Sequence, residues 1–289
     1  MGDTRPAMAP AQESLYLTLG GRALDSRMPR PFLGDRLADE VLKASGRDLS
    51  EFRTLGDTAK IDPSKVFDIA VRAKRMDDAV RAFAARHPDA VVLDLGAGLD
   101  TRMARVAPPA TVDWYDVDVP EVIALRRELI PSAAAGHVIA ADVTDPGWLD
   151  DVPGDRPAVM VGDGLIGFLT QDAMIALFDR LTRHFTRGGE LAFNQYTTFS
   201  VWALKHLSGF AAIAGGAVNP GFNDPRQPER WVPALHLAEE LLLTRAPEVA
   251  LFPASGRAVV RMIAWSRTMS RLFGTVVLRY RFPGAKAGA

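Results

Sequence analysis

The chain has 289 residues, a formal net charge of −1, no cysteine, 48% hydrophobic residues and 24% charged residues. These values describe a globular chain with material for one sizeable core, and they exclude a fibrous or charge-rich disordered one. Near-neutral charge, with basic residues distributed from end to end, leaves no footprint for sequence-independent nucleic-acid binding. The lack of cysteine excludes disulfides, thiol nucleophiles and thiolate metal sites.

The opening MGDTRPAMAPAQ lacks the apolar run of a signal peptide. No later segment offers about 18 uninterrupted apolar residues for a membrane span, so a cytoplasmic chain with no membrane partner is expected. Residues 1–12 and the tail GAKAGA at 284–289 are rich in alanine, glycine and proline and are expected to be loose. Between them, 13–283 reads as a single domain. Its first part, 13–88, is a helical cover with helices near 14–27, 34–45 and 64–86. In the last of these Val66, Ile69, Ala70, Ala73 and Met76 recur three and four apart.

From 89 to 196 short apolar runs, AVVLDL, TVDWYDV, HVIAAD, AVMVGD and ELAFNQY, alternate with helix-like stretches such as PEVIALRRELI and QDAMIALFDRLTRHF. That alternation implies βαβ units and a mostly parallel sheet, hence an α/β fold with a ligand-binding core. Residues 197–245 break the alternation with glycine, proline and asparagine, and are expected to form a lid or substrate insertion after strand five. Its Trp202, Phe210, Phe222 and Trp231 could wall an apolar acceptor pocket. Residues 246–283 then complete the sheet, with VVLRYRF as an antiparallel strand at its end.

Ligands of open α/β sheets bind beyond the carboxyl ends of the strands. Asp100, Asp116, Asp118, Asp142, Asp163, Asn194 and Tyr196 stand at or after strand ends and fall on that edge. His87, His137 and His184 fall at strand entrances, which leaves Tyr196, His206 and His236 as candidate catalytic groups. Arg72 can be placed by arithmetic. A helix ending near His87 carries it roughly 22 Å back, while strand one returns about 20 Å, so Arg72 is level with the turn that follows strand one.

That turn, Gly96-Ala97-Gly98 in VVLDLGAGLDTR, is a nucleotide-type turn without the third glycine of dinucleotide enzymes. A pyrophosphate needs free N–H groups and no competing negative charge, and Asp100 would repel it. S-adenosylmethionine has no phosphate. Its ribose needs an acid, its adenine a polar partner and its carboxylate a cation, roles that Asp118, Asp142 with Val143, and Arg72 can fill. Asp116 and Asp118 are expected to point to opposite faces of strand two, so only one can be the ribose acid. An NAD-dependent oxidoreductase and a non-catalytic cofactor binder remain the competing readings. No metal site is expected, and the oligomeric state is not legible.

LDLGAGLDTR, YDVDVPEV, AADVTD and VGDGLIGFL together resemble the successive signatures of the leucine carboxyl methyltransferase family, and within it the bacterial O-methyltransferases of aromatic polyketide pathways. The likeness runs from LYLTLGGRALDSR to VVLRYRF. It implies a class I, Rossmann-like methyltransferase that uses S-adenosyl-L-methionine to methylate a carboxylate or phenolic hydroxyl of a small aromatic or polyketide-like acceptor. By the same resemblance Arg72 grips the cofactor carboxylate, Gly96 lines its methionine moiety, Asp118 holds the ribose, and Asp142 and Val143 meet the adenine. The family usually has glutamate where this chain has Asp163, so that contact is displaced or handed to water. Arg22 is the candidate for the family's basic residue on the N-terminal helix.

Overall fold

A computed structural model describes residues 10–47, 63–206, 218–252 and 254–284. The expected loose residues 1–9 and 285–289, and Phe210, lie outside the described residues. Helices α1 (Pro10–Ser26), α2 (Arg36–Ala44) and α3 (Pro63–Arg86) precede the sheet. They match the sequence-derived cover closely, although α1 starts before the expected position. Strands β1 (Val91–Leu95), β2 (Asp113–Asp118), β3 (His137–Ala140), β4 (Ala158–Gly162) and β5 (Gly188–Gln195) then alternate with α4 (Arg102–Val106), α5 (Pro120–Leu129) and α6 (Gln171–His184). Beyond β5 come α7 (Thr198–His206), α8 (Gln227–Trp231), β6 (His236–Leu242), α9 (Ala254–Ala264), α10 (Arg267–Phe273) and β7 (Val276–Pro283).

The seven strands form one sheet in the order β3-β2-β1-β4-β5-β7-β6. The first five are parallel, and β7 runs antiparallel between β5 and β6. β1 and β4 are buried along their whole length because helices cover both faces. Val91, Leu93, Met160 and Leu191 face one layer with Met174, Leu177, Phe178 and Leu181 of α6. Val92, Val159, Val161 and Ala192 face Phe67, Ala70, Val71, Val80 and Phe83 of α3 on the other. The alternation along each strand is the period of two that a pleated backbone imposes. The spacing of three and four on α6 is the helical counterpart, and α6 starts at Thr170, whose side chain accepts from the Ala173 N–H at 3.2 Å.

The segment after β5 departs from the expected lid. Residues 236–242 are a sheet strand, and 246–283 carry two helices before β7. VVLRYRF is antiparallel as expected, but it is the second strand from the edge, and β6 takes the edge. The reason is the pairing of β6 with β7, which fills the β5 flank with a hairpin-like unit that no local pattern announces. Gly96 and Gly98 turn the chain out of β1 with φ of +64° and +52°. A Cβ on Gly96 would also stand 3.1 Å from Leu165 Cδ1, a tight contact that would push on the leucine, so the positive φ is the main reason for glycine there.

Candidate functional site

The turn after β1 is held entirely by the protein. The N–H groups of Gly96 and Ala97 both donate to the Val117 carbonyl, at 2.8 and 3.2 Å, and that of Asp100 donates to the Ala97 carbonyl at 2.9 Å. The Gly98 N–H donates to Asp118 Oδ2 at 2.7 Å, and Asp118 Oδ1 accepts from the Val119 N–H at 2.8 Å. The N–H groups of Gly96, Ala97, Gly98 and Asp100 are therefore already occupied and are not offered to a dinucleotide's pyrophosphate. Each Asp118 oxygen keeps a further lone-pair direction for a ligand hydroxyl. Burial pushes the Asp118 carboxyl up, and the backbone N–H groups of Gly98 and Val119 and the Arg126 charge oppose that shift.

The expectation of opposite faces is corrected: Asp116 is two residues before Asp118 and, with a strand period of two, shares its face of β2, so alternation does not choose between them. Depth does. Asp116 is buried, accepting from Trp114 Nε1 at 3.0 Å and pairing with Arg126 at 2.5 Å. Arg126 in turn donates to the carbonyls of Gly98 at 2.7 Å and Asp100 at 2.8 Å. Asp116 thus braces the turn from behind, and Asp118 is the acid left at the strand end.

The second half of the signature, Leu99 to Arg102, builds a buried ion network. Arg102 meets Asp94 at 2.6 Å, Asp77 at 3.0 Å and Asp100 at 3.1 Å. Arg105 meets Asp100 at 2.6 Å, Asp35 at 2.7 Å and Asp77 at 2.8 Å. Arg22 of α1 lies 3.3 Å from Asp35 and donates to the Leu99 carbonyl at 3.0 Å. Burial works against ionisation of Asp100, but Arg105, Arg22 and Arg102 outweigh it and hold that carboxyl well below the usual range. Asp100 consequently faces three arginines. The expectation that it repels a phosphate is corrected: its charge is met, and the turn disfavours pyrophosphate through its consumed N–H groups. Arg22 likewise locks the cover onto the turn. Sequence reasoning missed Asp35, Asp77, Asp94 and Arg105, whose role depends on partners distant along the chain.

Arg72 reaches the carboxyl edge as the arithmetic required. Its Nε lies 2.5 Å from Asp163 Oδ1, immediately after β4, and its Nη1 lies 3.8 Å from Asp68. Burial would depress Arg72, but Asp163 and Asp68 reverse that and raise it, so it is a permanent cation. Asp163 also lies 3.7 Å from Arg102, which links this cation to the network under the turn. Asn194, at the end of β5, accepts from the Gly164 N–H at 2.7 Å and fixes the loop that carries Asp163. Tyr196 follows, its phenol pushed up by burial and therefore protonated at neutral pH.

Asp142 stands two residues beyond β3, exposed, with Oδ1 accepting from the Thr144 N–H and Oγ1, both at 2.8 Å. Buried Val143 beside it has its carbonyl held by Trp148 Nε1 at 3.1 Å and Arg180 at 3.2 Å. Arg72, Gly96, Ala97, Gly98, Asp118, Asp142, Val143 and Asp163 thus all lie along one edge of the sheet, with the Arg72–Asp163 pair at one end and Asp118 and Asp142 toward the other. S-adenosylmethionine fits this set, because the edge offers carboxylate acceptors and a fixed cation and withholds a phosphate nest.

The catalytic candidates fare differently. His236 opens β6 opposite Arg281, which itself pairs with Glu190 near the start of β5. It therefore sits at the amino-terminal edge, away from the site, and is corrected as a candidate. His206 ends α7, roughly 12 Å beyond that helix's start, with Nδ1 donating to the Trp202 carbonyl at 2.8 Å. The aromatic wall also does not assemble as expected. Gln195 Nε2 donates to the Phe222 carbonyl at 2.8 Å and the Phe222 N–H donates to Tyr196 at 2.9 Å, which turns Phe222 into the core against Trp231. Trp202 points outward from α7, half exposed, and stacks on Phe199.

Residues 16–182 match the model of the leucine carboxyl methyltransferase family. The tetracenomycin polyketide synthesis O-methyltransferase TcmP of Streptomyces glaucescens is 36% identical over 98% of this chain and 100% of its own length. An S-adenosyl-L-methionine-dependent methyltransferase of Gibberella zeae is 30% identical over 81% of this chain and 82% of its own. A solved structure assigned as a methyltransferase, from Thermobifida fusca, shares the fold, with a TM-score of 0.52, 19% identity, and coverage of 91% of this chain and 94% of that one. By the family match and these relatives, this chain belongs to the leucine carboxyl methyltransferase family and is a class I, S-adenosylmethionine-dependent methyltransferase.

Proposed function

We propose that the chain methylates a carboxylate oxygen of a small, largely apolar acceptor of aromatic or polyketide type. When bound, S-adenosylmethionine supplies an activated methyl group. Arg72 would hold its carboxylate, Asp118 its ribose, Asp142 and Val143 its adenine, and Gly96 its methionine stem, with Asp163 tied to Arg72 beside it. The acceptor class follows the name of the Streptomyces relative, which acts in tetracenomycin polyketide synthesis and shares full-length similarity.

The choice of a carboxylate rests on one observation: none of the five histidines is placed as a base at the strand ends. His87, His137, His184 and His236 stand at the opposite edge, and His206 is out along α7. Tyr196 is the neutral polar group at the β5 end, and its raised phenol makes it a hydrogen-bond donor to an acceptor oxygen and not a base. A carboxylic acid is already ionised near neutral pH and needs no base, whereas a phenol does. The protein's contribution is then alignment and exclusion of water, which can supply roughly 7 to 11 kcal/mol.

The test is incubation with methyl-labelled S-adenosylmethionine and matched panels of aromatic acids and phenols. Alkali-labile methyl esters from the acids support the reading. Alkali-stable ethers from the phenols alone would replace it with a hydroxyl acceptor. Cofactor binding without transfer to any acceptor would favour a non-catalytic role.

A further inference from the structure

Residues 249–289 contain six arginines and one lysine and no acidic residue, in a chain whose overall charge is −1. Within this stretch α9 and α10 pack beside each other, α10 against β6 and α7 and α9 against the turns that follow β6. At about 100° per residue, Arg257 and Arg261 share one flank of α9, and Ala258 and Met262 form the crest beside them, continued by Trp265 just past the helix end. That crest stands out of the protein: Trp265 is 89%, Met262 69% and Val259 53% exposed. Met269 and Phe273 of α10 are also exposed, and Phe273 meets Phe199 of α7 edge-on at 5.4 Å. Singly exposed apolar residues are ordinary on a surface, but a run of them on two adjoining helices is not.

The charges beside the crest are unneutralised. Arg257, half-buried, donates to the Ala250 carbonyl at 2.9 Å, and the exposed Arg245 donates to the Trp265 carbonyl at 3.3 Å. Among the described residues no carboxylate lies within ion-pair distance of Arg245, Arg257 or Arg261. Arg267 and Arg271 differ, because both pair with Glu240.

We infer that the α9–α10 surface is a peripheral contact for an anionic lipid surface, with Val259, Met262 and Trp265 entering the headgroup region and Arg245, Arg257 and Arg261 on lipid phosphates. The chemistry is that of an interfacial helix: a tryptophan and aliphatic side chains at the boundary, and arginine heads at phosphate depth. Charge and shape select this occupant. A second copy of the chain would bring the unpaired Arg245, Arg257 and Arg261 against themselves. A rigid acidic protein would need a groove to receive a convex crest, whereas a lipid surface yields to it. The contact is peripheral, since no described helix is long and apolar enough to cross a membrane. α10 leads into the start of β7, which pairs with the carboxyl end of β5, so this surface borders the cofactor-binding edge without including any residue assigned to it, and the inference does not depend on which acceptor is methylated.

The test uses the full chain with sedimented vesicles of phosphatidylcholine alone and of phosphatidylcholine with phosphatidylglycerol. Binding is expected to the anionic vesicles only and to weaken with salt. Trp265→Ser with Met262→Ser, and separately Arg257→Gln with Arg261→Gln, should each lower it about tenfold or more, with S-adenosylhomocysteine affinity unchanged. Quenching of the unaltered protein's tryptophan emission by brominated anionic lipids gives a reading that needs no variant. Equal binding to neutral vesicles, variants that bind as tightly as the parent, or no quenching would each overturn the inference. So would a concentration-dependent dimer that Trp265→Ser dissolves while no vesicle binds, which would make the crest a self-interface.

Discussion

Replacing Asp118 by asparagine separates the two tasks its carboxylate performs. In the protein both oxygens accept backbone N–H groups, from Gly98 at 2.7 Å and Val119 at 2.8 Å. An amide has one oxygen, so one of these donors must face an NH2 group. Losing one charge-assisted bond of this kind costs about 1.5–3 kcal/mol, which urea denaturation would register as lost stability. If the same carboxylate also takes the ribose hydroxyls, cofactor binding weakens by a similar amount, about 10- to 150-fold in Kd at 1.4 kcal/mol per decade. A distorted turn could mimic that loss, so the ligand is varied as well. Calorimetry with S-adenosylhomocysteine and its dideoxyribose analogue closes the cycle. The unaltered protein should lose affinity when the hydroxyls go, and the Asp118→Asn variant should be nearly indifferent to them. Equal losses for both proteins would show that Asp118 only caps the turn, and the ribose assignment would fail.

Arg72→Ala should weaken S-adenosylhomocysteine binding by about 1.5–3 kcal/mol, read by calorimetry, as loss of a charged partner does. Arg126→Met should cost about 3–5 kcal/mol in urea denaturation, because it strands buried Asp116 and uncaps the Gly98 and Asp100 carbonyls. Burial, helped by Asp100 and Asp116 against the pull of Arg102 and Arg126, lifts Asp94 to about 8. Its folded value lies above its unfolded one, so the stability it contributes is full at low pH and is lost as pH rises toward 8. Asp94→Asn should flatten that decline, which denaturation across pH 6 to 9 would show. His236→Ala should leave turnover within about twofold, since His236 opens β6 at the far edge; a loss of about 10² would return it to the site.

Much of the site was legible because its signals are local. Glycines that must turn, acids that end apolar runs and a cation one helix-length back are readable from spacing and the strand-end rule. Arg72 is the clearest instance, placed by helix rise and strand rise alone and found beside Asp163. What was not legible depends on distant pairing. HLAEELL carries adjacent glutamates and leucines that suit a helix, and it becomes a strand only because β7 offers it a partner. That hidden strand put His236 on the wrong edge in the sequence reading. The meaning of Asp100 was hidden in the same way. Beside a glycine turn it reads as a ligand-repelling charge, and only the folding of α1 and α4 around it supplies the arginines that neutralise it. Phe222 reads as an acceptor wall until Gln195 and Tyr196 draw its backbone inward.

The central claim is that this edge is built for S-adenosylmethionine and not for a dinucleotide, because the N–H groups of Gly96, Ala97, Gly98 and Asp100 are already bonded within the protein. Calorimetric titration of the purified chain with S-adenosylhomocysteine and, separately, with NAD tests it directly. Saturable binding of S-adenosylhomocysteine with no heat from NAD is the expected result. Saturable NAD binding with no response to S-adenosylhomocysteine would contradict it.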